Sequence, residues 1–406
     1  MSEPLEPRPP ERQEPPIGDV FADVPLFREI QRVLLSSSGP VNWELARQVG
    51  IAMASWNQED PAPTDDDRRG LEDTVRAAEL QVASFTGLEA PSEVASVRAV
   101  RRAEWVEANI EGLSELVEPS AAKAGEALAK VQRDAMPPQT AEAFAQFGAM
   151  GAGLEQLLSR LSPLLTGAQA GTVLGSLGQR VLGQYDVAVP RRGPGTLLFV
   201  VPNIAAFERD WSLSPIEFRA WVALHEVTHR FEFARPWVRD HFLGLVRDFV
   251  SSVELDVAGM MERLDRMDVA SPEALQGLFE SEEGMFGAVL DDEQRLKLAR
   301  VQAFMAAAEG YGDHVAHAIG ARMLPTYQQI SEALRRYREG EQGDPVFERL
   351  LGIEMKREQY AAGRTFCDTV AARTDEPTLA RMWDSPDALP SQPEIDEPTL
   401  WLSRSA

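Results

Sequence analysis

The sequence predicts a mainly α-helical fold with a minimal β element. Apolar residues recur at helical spacing through most of the 406 residues, and one short apolar run, TLLFVV (196–201), has the composition of a strand. Hydrophobic residues make up 44% of the chain and charged residues 26%, as is usual for a soluble globular protein. The chain therefore has enough apolar side chains to build a core, and fibrous or wholly disordered structures are excluded.

Changes in composition divide the chain into four regions. We predict a disordered, Pro-rich acidic segment (1–20), a large N-terminal helical region (21–186), a region with the candidate site (187–380) and an extended acidic C-terminal tail (381–406). Trp383 and Trp401 are expected to hold the tail against the rest of the protein.

The N-terminal helical region contains several helix signals. Asn42 is a predicted N-cap, and breaks are expected near Pro91 and Pro119. The uncharged stretch 161–179 reaches the length of a membrane span, but it contains glycines, a proline and polar residues. It is therefore interpreted as a Gly/Ala-rich packed helical region.

The charge and cysteine content exclude some classes of function. The chain has 40 Lys and Arg against 64 Asp and Glu, a net charge of −24, so its surface repels phosphate backbones and general nucleic-acid binding is not expected. Cys367 is the single cysteine, so no internal disulfide forms, which favours a reducing compartment. The N-terminus lacks the basic start and apolar run of a signal peptide. These features predict a cytoplasmic protein that does not bind membranes.

The most informative segment is SPIEFRAWVALHEVTHRFEF (214–233). Ser214 and Glu217 form a predicted capping box, and Pro215 takes the favoured first helical position. His225 and His229 are four residues apart, so their imidazoles lie one turn apart on one helix face, where both can bind a single metal ion. Two buried histidines without a metal would share this spacing, but the marked helix start and the inward face favour a zinc site.

Glu226 lies between the two histidines in an HExxH pattern. In this pattern the glutamate is a general base, because it is placed to take a proton from the water at the metal and to donate it to a leaving group.

A catalytic zinc ion usually takes three protein ligands. Glu232 and Arg235 occupy the positions at which the metzincin extension requires Gly and His, so that extension is excluded. Glu309 is the best candidate, because it shares a helix face with apolar and small residues and a buried carboxylate there needs a partner. The alternatives for the third ligand are His314, His317 and Glu232.

The segment around Glu309 supplies further candidates. Asp313, four residues later, is predicted to bind the far ring nitrogen of a ligand histidine. His314 or Tyr311 is a candidate for stabilising an oxyanion beside the metal. Gly310 and Gly312 would let the backbone or a substrate approach closely.

Two other residues, a cysteine and a histidine twelve residues past His229 that could lie near the site, are given no role. We interpret Cys367 as a buried small side chain and His241 as an exposed residue.

With HEVTHRFEF (225–233) and EGYGDH (309–314) placed, the chain resembles the bacterial zincin-like metallopeptidase type 2 family, often labelled deazaflavin-coenzyme biosynthesis-associated proteins. The similarity runs from about residue 26 to 402. It includes GPVNWELARQ (39–48), RAEWVEAN (102–109), VLGQYDV (181–187), FRAWVALHEVTHRFEF (218–233) and LLGIEMKREQY (350–360). His317 stands where relatives are expected to have an acidic residue.

The resemblance implies a zincin-like, gluzincin-type helical core. It also implies that His225, His229 and Glu309 bind zinc and that Glu226 is the general base. The coenzyme label is given little weight, because the sequence contains no flavin or nicotinamide motif.

The resulting hypothesis is a zinc metallopeptidase that acts on a peptide or a small amide. Two alternatives remain open. One is a zinc amidohydrolase that acts on non-peptide substrates with the same site. The other is a non-catalytic zinc scaffold, which would need four protein ligands, with His314 or His317 in the position of the water.

Overall fold

Helices form most of the structure, a computed structural model that describes residues 39–134, 149–184, 196–252, 291–339 and 357–405. The helices are α1 (Trp43–Ala54), α2 (Asp65–Thr86), α3 (Arg102–Asp134), α4 (Ala149–Gly178), α5 (Val201–Asp210), α6 (Pro215–Phe233), α7 (Pro236–Ser252), α8 (Asp292–Met323), α9 (Tyr327–Glu339), α10 (Arg357–Arg373), α11 (Glu376–Ala380), α12 (Gln392–Asp396) and α13 (Pro398–Ser405). The strands are β1 (Ser96–Val100) and β2 (Thr196–Val200). The prediction of a mainly α fold with a minimal β element is confirmed.

Two predicted features lie outside the described residues. These are the disordered segment 1–20 and the region boundary at residue 187. The division into four regions therefore stays a prediction.

A two-stranded parallel sheet is the β element of the described residues. The strand predicted at 196–201 is present as β2, in which Leu197 to Val200 are fully buried. Its partner β1 lies where the sequence predicted mostly helix, and Ala99 of β1 pairs with Phe199. On the other side of β2, Gly183 forms an isolated antiparallel bridge with Phe199, and Leu182 accepts a hydrogen bond from Val200. This bridge places the segment at residues 182–184 next to the buried strand.

The N-terminal helices pack through small residues. Asn42 caps α1 as predicted, since its side chain accepts a hydrogen bond from the Leu45 N–H at 2.8 Å. Helix α1 packs against α4, where Gly171 lies directly on the backbone of Ala46. The Gly/Ala-rich stretch 161–179 is thus a packed helix, as predicted. No helix of the described residues is long and apolar enough to cross a membrane.

The predicted break at Pro119 is wrong. Helix α3 continues through Pro119, even though proline removes one backbone donor. The preceding turns bury Leu113, Leu116 and Val117, and this packing offsets the lost hydrogen bond.

The predicted extended conformation of residues 381–406 is also wrong. The segment contains 3₁₀ turns at Arg381–Trp383 and Pro386–Ala388, followed by α12 and α13. Ser391 and Glu394 form a capping box that starts α12, so local capping favours helix despite the prolines. Trp383 and Trp401 are buried as expected, and the Trp401 indole N–H donates to the Ala388 carbonyl at 2.8 Å.

Helix α8 packs between α6 and α10 and is the central helix of the site. Gly310 of α8 and Gly363 of α10 allow the closest approach, since a Cβ at either position would overlap the backbone of the other helix. Gly310 thus admits another backbone, as the sequence predicted. This packing fixes the distance between α8 and α10.

Candidate metal centre

Helix α6 begins at Pro215, as predicted, but the predicted capping box is absent. The Ser214 side chain makes no capping hydrogen bond. Glu217 instead accepts hydrogen bonds from the backbone N–H and the hydroxyl of Thr326, both at 2.7 Å. Two donors from the turn after α8 thus replace the local cap, and they tie the start of α6 to the end of α8.

The inner face of α6 carries a row of stacked aromatic rings that ends at the two histidines. Phe218 stacks on Trp221, and Trp221 stacks on His225 with ring centroids 5.5 Å apart. The next ring, His229, is fully buried, and His225 is 4% exposed. The surrounding aromatic rings restrict the rotation of both imidazoles.

Three side-chain atoms from α6 and α8 face one point. The Nε2 atoms of His225 and His229 are 3.1 Å apart, and each lies 3.9 Å from Oε2 of Glu309. Among the described residues, these three side chains form the group that could hold a metal ion.

The size of this triangle suits one metal ion. A point about 2.1 Å from all three atoms lies in its plane, close to the zinc–nitrogen and zinc–oxygen bond lengths of about 2.0–2.2 Å. Two imidazole nitrogens and one carboxylate oxygen are also a donor set typical of catalytic zinc. The predicted ligands therefore fit the ion in both size and chemistry.

Each histidine has a second carboxylate at its other ring nitrogen. Oε2 of Glu232 lies 2.9 Å from Nδ1 of His229, and Oδ1 of Asp313 lies 3.7 Å from Nδ1 of His225. Asp313 thus lies beside the ring nitrogen that its predicted role requires, at a distance longer than a hydrogen bond, and the role stays a prediction. Glu232, an alternative third ligand in the sequence analysis, lies at the nitrogen of His229 that faces away from the triangle.

The carboxylates around the pair favour positive charge. Burial alone would lower the pKa of His229, but the carboxylates of Glu232, Glu309 and Glu226 raise it to about 10. The same field favours any cation at this point, whether a proton or a metal ion.

Glu226 is fully buried and is held by the chain segment beside β2. Its Oε2 accepts a hydrogen bond from the backbone N–H of Gln184 at 2.8 Å. A Cβ on Gly183 would lie 2.7 Å from Cγ of Glu226 and would overlap its carboxylate. The loop therefore touches the carboxylate closely enough to fix its direction.

Helix α3 holds this loop in turn. The Trp105 indole donates to the Gly183 carbonyl at 3.0 Å, and the Gln184 side-chain amide donates to Asn109 Oδ1 at 2.8 Å. The fixed position of Glu226 thus depends on residues of the N-terminal helical region.

Gly312 lies against both histidine rings. A Cβ at this position would lie 2.7 Å from Cε1 of His229 and 3.4 Å from Cε1 of His225. The close approach predicted for Gly312 is therefore to the two imidazoles, which can lie on α8 because Gly312 has no side chain.

His314 and Tyr311 lie on the far side of α8 from Glu309. His314 Nδ1 lies 2.6 Å from Asp368, and its Nε2 lies 3.0 Å from Glu376. Tyr311 is fully buried, and its ring packs against Trp383. Because these contacts direct both side chains away from the triangle, we do not retain the predicted oxyanion role of His314 or Tyr311.

The ion pairs of His314 predict how stability depends on pH. Burial lowers the pKa of His314, but the hydrogen bonds with Asp368 and Glu376 raise it from 6.5 to about 9. A raised pKa stabilises the fold fully below pH 6.5, and this contribution is lost as the pH rises through 9. We expect wild type to lose roughly 1–3 kcal/mol more unfolding free energy over this range than His314→Gln, which keeps the pH dependence of His229 but not that of residue 314. Urea denaturation at pH 6, 7.5 and 9.5 measures the difference, and equal pH slopes for the two proteins would contradict the prediction.

The remaining histidines and the cysteine lie apart from the triangle. His317 is buried, its Nδ1 lies 3.0 Å from the Asp313 carbonyl, and its ring meets Trp221 edge-on. His241 is half-buried between Trp237 and Phe304 rather than exposed as predicted. Cys367 is buried, as predicted.

The sequence did not reveal the residues that contact Glu226 and the outer ring nitrogen of His229. Gly183 and Gln184 lie in the VLGQYDV motif, but no role was assigned to them. Glu232 was considered only as a ligand, although its spacing of three residues from His229 would have placed the two side chains together on one helix face.

The chain has clear relatives. The family model described as a zincin-like metallopeptidase matches residues 41–402. The crystal structure of a presumed hydrolase with a novel fold from Chloroflexus aurantiacus is 33% identical in sequence and superposes with a TM-score of 0.61, covering 90% of this chain and 98% of that chain. The comparison with curated proteins gave no match. Since the family match spans most of the sequence and includes all three side chains of the triangle, this chain belongs to the zincin-like metallopeptidase family.

Proposed function

We propose that this protein is a zinc-dependent hydrolase, a metallopeptidase in which Glu226 is the general base. One observation carries the proposal. The donor atoms of His225, His229 and Glu309 face a common point, and the buried Glu226 carboxylate follows directly after the first of them in the chain.

His225, His229 and Glu309 would hold the zinc ion. When bound, zinc would act as a Lewis acid that polarises a scissile carbonyl and lowers the pKa of water. Glu309 is the most exposed of the three, with 18% of its side chain accessible, so solvent and substrate reach the triangle from the Glu309 side.

Glu226 would move the proton. Its carboxylate takes a proton from the attacking water and later donates it to the leaving amine. The hydrogen bond from the Gln184 N–H keeps the carboxylate in one orientation, so little reorganisation is needed during the reaction. Its burial also keeps bulk water from competing for the proton.

The geometry favours the hydrolase over the non-catalytic scaffold. A closed structural zinc site has four protein ligands, whereas the group found among the described residues has three. His314 binds Asp368 and Glu376, and His317 packs against Trp221, so neither completes the coordination. The family supports a peptide substrate over other amides.

Replacing Glu309 with alanine tests the ligand set. We expect wild type to bind one zinc ion per chain and Glu309→Ala to bind it more than about 100-fold more weakly, because loss of an outer partner alone typically costs 10- to 100-fold. Competition with a chromogenic chelator measures the affinity. Glu293→Ala, on the exposed first turn of α8, is the matched control and should bind like wild type. Unchanged affinity in Glu309→Ala would remove Glu309 from the ligand set.

A substrate screen tests the reaction class. Quenched fluorescent peptide libraries are compared with small amides and esters, for the zinc-loaded protein and for the protein treated with a chelator. We expect hydrolysis of peptides that stops on chelation and returns with zinc. Turnover of small amides alone would indicate the amidohydrolase, and zinc binding without any turnover would favour the scaffold.

A further inference from the structure

Glu232 is a fully buried carboxylate one turn after His229 on α6. Such a group is costly to bury unless a partner stabilises it. Its Oε2 lies 2.9 Å from Nδ1 of His229, and within the described part of the chain no Lys or Arg lies within ion-pair distance of it. The neighbouring Arg230 binds Glu79 and the Glu93 carbonyl instead. His229 is therefore the ionic partner of Glu232.

The two histidines are supported in different ways. Glu232 is on the same helix as His229, so their contact needs no second helix. The carboxylate beside His225 is Asp313 of α8, at the longer distance of 3.7 Å, and it comes from the same helix as Glu309. The orientation of His229 therefore does not depend on the position of α8.

The contact with Glu232 also selects a tautomer. Only a neutral imidazole has a lone pair for a metal ion, and its one N–H can be on either ring nitrogen. A carboxylate at Nδ1 accepts a hydrogen bond, so it holds the proton there and leaves the lone pair on Nε2. Nε2 is the atom that faces His225 Nε2 and Glu309 Oε2 in the triangle.

We infer that Glu232 is the positioning residue of this metal centre: its carboxylate keeps His229 in the Nδ1–H tautomer with Nε2 aimed at the point shared with His225 and Glu309. The inference rests on the proposed function, because it assigns a task to Glu232 in zinc binding. It also gives a reason for the burial of a carboxylate that takes no part in the proton transfer.

Two substitutions separate charge from hydrogen bonding. Glu232→Ala removes the acceptor, and we expect zinc affinity to fall by about 10- to 100-fold. In Glu232→Gln the amide oxygen can still accept the Nδ1–H, so we expect a loss of less than about tenfold. Glu208→Gln is the matched control: it replaces another buried carboxylate, which pairs with Arg219 away from the triangle, and should bind zinc like wild type.

The readouts are zinc affinity by competition with a chromogenic chelator and the hydrogen bond at Nδ1 of His229 by ¹H–¹⁵N NMR of the metal-free protein, in which this N–H is present whether the ring is neutral or protonated. We expect a downfield, slowly exchanging Nδ1–H in wild type and in Glu232→Gln, and a rapidly exchanging one in Glu232→Ala. Wild-type affinity in Glu232→Ala, or an equal loss in Glu208→Gln, would overturn the inference.

The NMR readout keeps the two proposals distinguishable. If Glu232→Ala does not fold, the inference is decided by wild type and Glu232→Gln, and a rapidly exchanging Nδ1–H of His229 in both would overturn it. If wild type binds no zinc, the proposed function fails, whereas the NMR spectrum of the metal-free protein still shows whether Glu232 holds the Nδ1–H of His229.

Discussion

Glu226→Gln should lower kcat by roughly 10²- to 10⁴-fold while the protein keeps its zinc, because a positioned general base contributes about that much to rate. The glutamine side chain is almost isosteric with glutamate, and its oxygen can still accept the hydrogen bond from the Gln184 N–H. It cannot, however, accept the proton of the attacking water. The measurement is kcat and KM on the best peptide from the screen, together with zinc content by plasma mass spectrometry.

Comparison with Glu208→Gln gives this prediction its control. Glu208 is also a buried carboxylate with a hydrogen-bond partner, but it lies at the Arg219 ion pair, away from the histidines. Its substitution should change kcat by less than about twofold, since it removes no group that the reaction uses. A wild-type rate for Glu226→Gln would place the general base elsewhere, and a loss of zinc would make Glu226 a ligand.

The ligand triangle was predictable because helix periodicity determines most of it. His225 and His229 share a face of α6 by their spacing, and a carboxylate at Glu309 on an otherwise apolar face requires a partner. The same rule should have excluded Tyr311 and His314 as helpers of Glu309. At 100° per residue they are rotated by about 160° and 140° from it on α8, so closeness in sequence did not mean closeness in space.

The contacts that fix Glu226 were not predictable, because they join distant parts of the chain. Gln184 is 42 residues from Glu226, and its loop is held by Trp105 and Asn109 from α3. Hydrophobic periodicity places helices and their faces, but it does not specify which loop meets which helix.

Two of the errors in secondary structure have the same origin. Ser214 and Glu217 have the correct spacing for a capping box, but Thr326 supplies two better placed donors from 109 residues away. β1 is short and half-exposed, and it is a strand because β2 pairs with it. Tertiary contacts decided these elements, whereas the local caps of α12 could have been read from the sequence.

Gly312→Ala should abolish zinc binding at micromolar concentrations while most of the fold is retained. The added methyl group would lie 2.7 Å from Cε1 and 2.9 Å from Nε2 of His229, well inside van der Waals contact. Glu232 holds the other side of that ring, so the imidazole cannot rotate away without breaking its hydrogen bond. Chelator competition measures the affinity, and thermal denaturation of the metal-free protein measures the fold.

Gly183→Ala makes the same change at the glycine that lies against Glu226, and it should reduce turnover rather than zinc binding. Its methyl group would overlap the Glu226 carboxylate, which must then turn away and give up the hydrogen bond from the Gln184 N–H, whereas the two histidines are not touched. We therefore expect zinc binding to stay and kcat to fall toward that of Glu226→Gln.

Gly244→Ala is the control. It lies on α7, where a Cβ would meet open space, and it should change neither zinc affinity nor kcat. Loss of zinc in Gly183→Ala and loss of turnover alone in Gly312→Ala would contradict the assignment. Glu226 would then be the metal ligand, and His229 would be needed only for turnover. If both behaved like Gly244→Ala, neither glycine would lie as close to the site as the structure places it.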